Sequence, residues 1–107
     1  MKVHYIHIRA RFNGVAKTTG GYTVAVTLEH PTHLGKYVAN LAKCPDDKDY
    51  SQERGAGVAR ARLAGETHIV LPNKAALQEL VNKLSSKISK GEFVVPINIT
   101  HVPEMSA

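Results

Sequence analysis

Tyr50-Ser-Gln-Glu-Arg-Gly-Ala-Gly-Val-Ala-Arg-Ala-Arg-Leu-Ala64 decides the fold, because this stretch reads two ways. As a strand, Arg60 and Arg62 alternate with Ala59, Ala61 and Leu63. As a helix, Gly55, Val58, Ala59, Arg62 and Leu63 share one face, and Asp49 or Ser51 can cap its start. Glu53 then lies in the first turn and Gly65 can end the helix. Gly55 and Gly57 oppose this, each costing about 1 kcal/mol against Ala. The alanines and the two good caps outweigh them, so the segment is expected to be helical. Two glycines inside a helix then point to close approach of another backbone, within the fold or in a partner.

Upstream, residues 3–12 alternate Ile6, Ile8, Ala10 and Phe12 with Tyr5, His7, Arg9 and Arg11, the period of a half-buried strand. Asn13–Gly21 holds three glycines and reads as a turn or loop. Tyr22–Leu28 alternates again, with Tyr22, Val24, Val26 and Leu28 on one side, giving a hairpin with one apolar and one polar face. His30-Pro31 ends it. Lys36–Lys43 alternates but is rich in helix formers; a third strand is the expectation, followed by an acidic loop over Cys44–Asp49.

Downstream, His68–Leu71 is a short strand closed by Pro72, and Asn73 caps a helix over 74–90. Its stripe is Leu77, Leu80, Val81, Leu84 and Ile88, with Lys87 and Lys90 suiting the C-terminal dipole and Gly91 at C′. Phe93–Val102 reads as a last strand, at an edge or bulged because of Pro96, and Pro103–Ala107 as a frayed tail. The expectation is a single α+β domain over residues 1–107, a small antiparallel sheet with two helices packed on one face.

Around the deciding segment, Cys44-Pro45, Asp49-Tyr50-Ser51, Gly55, Val58-Ala59 and Arg62-Leu63 resemble a pattern recurring in small bacteriophage accessory proteins. Those proteins carry a Cys, then Asp-x-Phe-Ser, Gly, Ile-Ala and Arg-Leu at similar offsets. Here Tyr50 stands for the Phe, and Asp49 directly precedes it. The resemblance covers residues 44–63 and implies a phage-like origin and a helix; it assigns no catalytic residue.

The 107 residues carry 14 basic and 9 acidic side chains, a net charge of +5. That balance suits an acidic protein or a nucleic acid as partner. A lone Cys44 excludes a disulfide scaffold and multi-cysteine zinc sites. No apolar run approaches the ~18 residues of a membrane span. No signal-peptide core follows Met1 either, so the cytoplasm, a host cell's if the origin is phage, is the expected location.

Six histidines invite a metal reading, and three stand in Thr-His-apolar triplets at His33, His68 and His101. No zinc spacing appears, however, and His4 and His7 point to opposite faces of their strand. Asp46, Asp47 and Asp49 lack the Gly and distal Glu of a calcium loop. Gly55-Ala56-Gly57 lacks the rest of a dinucleotide loop. Cys44 beside a proline reads as a small hydrophobe, not a nucleophile. No catalytic residue, metal ligand or cofactor is therefore expected. The expected function is a non-enzymatic interaction protein that binds and modulates a host protein or a defence or replication complex. A small nucleic-acid-binding module is the alternative, and a metal-dependent hydrolase ranks third. The expected contact residues are Arg9, Arg11, Arg54, Arg60 and Arg62, with Tyr5 beside them as an aromatic.

Overall fold

Ser51 opens a helix. In the computed structural model its side chain accepts a hydrogen bond from the Arg54 amide at 3.1 Å, and α1 runs Gln52–Ala64 to its C-cap at Gly65. Of the two caps offered by the sequence, Ser51 is the one used. The structure describes residues 2–9, 11–12, 15–16, 19–65, 68–89 and 99–103, and only the backbone at 11, 12, 15, 16, 46, 88 and 89.

Among the described residues six strands accompany it: β1 (His4–Ile8), β2 (Arg11–Phe12), β3 (Val15–Ala16), β4 (Thr19–Thr27), β5 (Tyr37–Asp49) and β6 (Ile69–Leu71). A second helix, α2, spans Lys74–Ser89, with Asn73 Oδ1 accepting from the Ala76 amide at 2.9 Å as its cap. The main sheet is antiparallel in the order β1-β4-β5-β6, and β2 pairs with β3 separately. The α+β class follows, with its antiparallel sheet and two helices.

The two helices, expected on one face, lie on opposite faces. Ile6, Ile8, Tyr22, Val24, Val26, Tyr37 and Ala39 form one core with Leu77, Val81 and Leu84 of α2. Ala25, Val38 and Ala42 form a second with Ala59 and Leu63 of α1. The side of β4 that reads as polar is therefore covered too. Its residues are short, and the hydroxyls are satisfied: Thr27 Oγ1 donates to the Lys2 carbonyl at 2.7 Å and accepts from the Glu29 amide at 3.0 Å. A sheet face of Thr and Ala lets a small-residue helix sit close, burying apolar area without stranding a donor.

Four boundaries differ from expectation. The strand expected over residues 3–12 breaks: β1 ends at Ile8, Arg11–Phe12 pairs with β3 in the separate sheet, and Ala10 lies outside the described residues. Thr19–Gly21, expected in the loop, begins β4, and Val15–Ala16 forms β3; residues 13, 14, 17 and 18 lie outside the described set. The acidic stretch Cys44–Asp49 belongs to β5, with a break in register: Gly21 pairs with Cys44 but Thr19 pairs with Asp49. The extra residues on β5 form a bulge, which is how a strand tolerates Pro45. At the end of the chain, 93–98, 104–107, Lys90 and Gly91 lie outside the described residues. Ile99–Val102 is a turn instead of a strand, closed by Val102 N–H donating to Ile99 O at 3.0 Å. Ile99 and Val102 are buried under the α2-side core, and the Tyr37 hydroxyl donates to the Pro103 carbonyl at 2.6 Å. That bond between residues far apart in sequence ties Pro103 to the sheet.

Candidate functional site: a cationic groove between α1 and β5

The same short residues that let α1 approach the sheet also open a groove beside it. Where α1 leaves β5, a groove of about 260 Å³ is lined by Lys43, Cys44, Lys48, Asp49, Tyr50, Arg54, Val58 and Arg62, among others. Lys43, Lys48, Arg54 and Arg62 are exposed, and Asp49 is the one carboxylate among the lining residues. Val58, 40% exposed, adds an apolar contact point. Cations gathered on low-dielectric walls raise the local potential for anions above what the net charge alone would give.

Tyr50 anchors the inner end. Its hydroxyl donates to the Tyr22 carbonyl at 3.1 Å and lies 2.8 Å from Thr23 Oγ1 and 3.0 Å from His7 Nδ1. One hydroxyl has one hydrogen, so with Tyr50's spent on Tyr22, Thr23 must donate to Tyr50. His7 Nδ1, 3.1 Å from Thr23 Oγ1, then carries the proton that it shares between the two oxygens. Burial, with Thr23 and Arg9 opposing it, raises the Tyr50 pKa above its ordinary value. Burial, and then the neighbouring His101, lowers that of His7. The Arg9 guanidinium sits 4.9 Å above the Tyr50 ring centre, a cation–π contact that fixes both.

Two glycines make room for this arrangement. Gly21 has φ +139°, and a Cβ there would stand 2.6 Å from the Ile8 carbonyl and 2.8 Å from the Tyr50 ring. A Cβ on Gly55 would run into Thr23 Oγ1. The close approach of another backbone expected at the α1 glycines is not found: Gly55 is approached by the Thr23 side chain of β4, and Gly57 faces open space with nothing within 4 Å.

The sequence-derived contact residues divide. Arg54 and Arg62 line the groove, and Arg9 stacks on its Tyr50. Arg60 is exposed on α1, while the Arg11 side chain lies outside what is described. Tyr5 is half-buried against the α1-side core. Lys43, Lys48 and Tyr50 escape sequence reasoning because they meet only when β5 bulges back towards α1. The Tyr50 aromatic directly before the Ser51 cap is the one local sign of it. Cys44 Sγ is 3.4 Å from the Lys48 carbonyl and 3.5 Å from that of Asp49, so its hydrogen is held by the bulge.

A second cluster lies at the far end of α1. Thr32 Oγ1 bridges His30 Nδ1 at 2.7 Å and His33 Nδ1 at 2.8 Å, and the His30 and His68 rings stand 4.2 Å apart at 61°. These residues, with Pro31, Ala64 and Gly65, line an open concavity of about 680 Å³. Desolvation, and then the charges of His30 and His33, lower the His68 pKa. Among the described residues no group of three or more His, Cys, Asp or Glu converges to hold a metal ion. No described helix is long and apolar enough to cross a membrane.

No protein-family model, curated protein or solved structure matches the chain.

Proposed function

We propose that the chain is a non-enzymatic binding protein whose cationic groove takes an acidic surface of another protein. The observation that carries this reading is the gathering of Lys43, Lys48, Arg54 and Arg62 around one groove, with Asp49 the one carboxylate among its lining residues. Arginine forks pair with carboxylates bidentately and are enriched among interface hot spots. The polar network at the groove's inner end supports binding over catalysis. Its hydroxyl hydrogens are spent on one another and on a backbone carbonyl, so it offers no activated nucleophile. The resemblance of residues 44–63 to bacteriophage accessory proteins directs the search to a host protein, which binding would modulate.

A lysate pull-down with nuclease treatment tests this. Reversing Lys48 and Arg54 to Glu should lower affinity for the captured partner by about tenfold or more, while Tm stays within a few degrees of the parent's. Unchanged affinity would sink the reading. The alternative, nucleic acid, draws on the stacked Arg9–Tyr50 pair beside these cations. It requires capture that nuclease abolishes, and a salt slope of log K that falls by about 1 for each cation removed.

A further inference from the structure

β5 is longer than its outer neighbour. β6 pairs only with Tyr37, Val38 and Ala39, whereas β4 pairs with β5 as far as Cys44 and again at Asp49. Beyond Ala39, among the described residues, no strand lies on the outer side of β5. Alternate residues of an antiparallel strand turn their N–H and C=O to opposite sides. The Leu41 N–H and C=O are taken by side chains, so Lys43, two residues on, turns its own to the same outer side, beside the cationic groove, where no described strand pairs with it. At Leu41, side chains stand where a strand would. Asn40 Oδ1 accepts from the Leu41 amide at 2.8 Å, and Arg62 Nη1 donates to the Leu41 carbonyl at 2.9 Å. Asn40 Nδ2 donates to the Arg62 carbonyl at 3.1 Å and closes the latch. Both bonds on Leu41 come from side chains at the surface, which exchange readily with other partners, and together they keep an open edge from pairing indiscriminately.

We propose that the outer edge of β5 at Leu41–Lys43 is a strand-addition site for an extended acidic segment of the partner protein, covered in the free protein by Asn40 and Arg62. This rests on the reading that the groove takes an acidic protein surface, and it specifies how that protein is held. The edge presents donors and acceptors in alternation, which a polypeptide backbone matches. A phosphodiester offers acceptors alone and would leave the outward carbonyls facing negative charge. A second copy of this chain, paired edge to edge, would bring two sets of Lys43, Lys48 and Arg62 against each other. An acidic strand has neither fault. When it enters, Arg62 exchanges a neutral carbonyl for a carboxylate, a stronger hydrogen bond.

The full-length protein can be titrated with an acetylated peptide of about ten residues alternating Glu and Thr, followed by NMR amide exchange and fluorescence anisotropy. The Leu41 and Lys43 amides should exchange at least about tenfold more slowly in the complex. Lys43→Ala, which removes charge alone, should weaken binding about threefold. Lys43→Pro also removes the outward N–H yet suits an edge strand, and should weaken it about tenfold beyond that. Asn40→Ala uncovers the Leu41 amide and should tighten binding about threefold. Amide protection in the parent protein stands independently of how well any variant folds. A peptide whose binding depends on Lys48 and Arg54, but gives no protection at Leu41 and Lys43, overturns strand addition and leaves the acidic-surface reading intact. Failure of the peptide to bind, or binding of a thymidine oligonucleotide in its place, overturns both.

Discussion

Gly55 and Gly57 occupy the same helix and should respond to the same change with opposite signs. A methyl on Gly55 meets Thr23 Oγ1, itself held by Tyr50, so α1 has to lift from β4. Overpacking of this kind costs about 1–3 kcal/mol, more than the helix propensity regained. A methyl on Gly57 meets nothing within 4 Å, and Gly57→Ala should stabilise by about 0.5–1 kcal/mol. Urea unfolding of the two variants reads this directly; stabilisation by Gly55→Ala would show that α1 stands clear of Thr23. The helix was readable from its caps despite two glycines, but which glycine is structural was not. They flank the same Ala56 two positions apart, and only the docking of α1 on β4 tells them apart.

Each helix tests its own side of the sheet. The α2 stripe is graded: Leu77 and Val81 are fully buried, Leu84 is 4% exposed, and Leu80 is only partly buried against the same core. Leu77→Ala should therefore cost about 2–5 kcal/mol and Leu80→Ala about 1–2 kcal/mol. Equal costs would mean the helix is rotated from its described position. This stripe was legible because an i, i+3, i+4, i+7 pattern has one burying face. α1 has no such stripe. Only Ala59 and Leu63 are buried along its length, so its attachment rests on small surfaces, the Ser51 cap and the Arg62–Leu41 and Asn40–Arg62 bonds. A periodicity reading could place it as a helix but not on a face, which is why both helices were expected together.

At the scale of the molecule, the histidines set the acid limit. His4, His7 and His68 all have folded-state pKa values below histidine's ordinary 6.5. Burial leads in each; Lys2 and His101 add to it at His4, His101 at His7, and His30 and His33 at His68. Depressed values mean that the unfolded chain binds more protons, so stability rises with pH through this window. The contribution is complete above about pH 6.5 and is lost as pH falls through the folded-state values. Tm should accordingly drop between pH 7.5 and 5.5, ahead of any carboxylate titration, and His68→Gln should reduce that drop. A flat Tm over this range would show that the three rings stay solvated.

Alternation in β1 and β4, the stripe of α2 and the caps at Ser51 and Asn73 determined the antiparallel sheet, both helices and the α+β class, because each depends on neighbours a few residues away. The cationic character of α1 was equally local. Tertiary structure alone decided that Thr and Ala on β4 make a second buried face, since a short polar side chain reads as solvated until its hydroxyl finds a partner such as Tyr50 or Lys2. It alone brought Lys43 and Lys48 of β5 to Arg54 and Arg62 of α1, and it alone placed the Leu41 backbone under Asn40 and Arg62. Those relations join residues many positions apart, through a three-dimensional packing that no local period encodes.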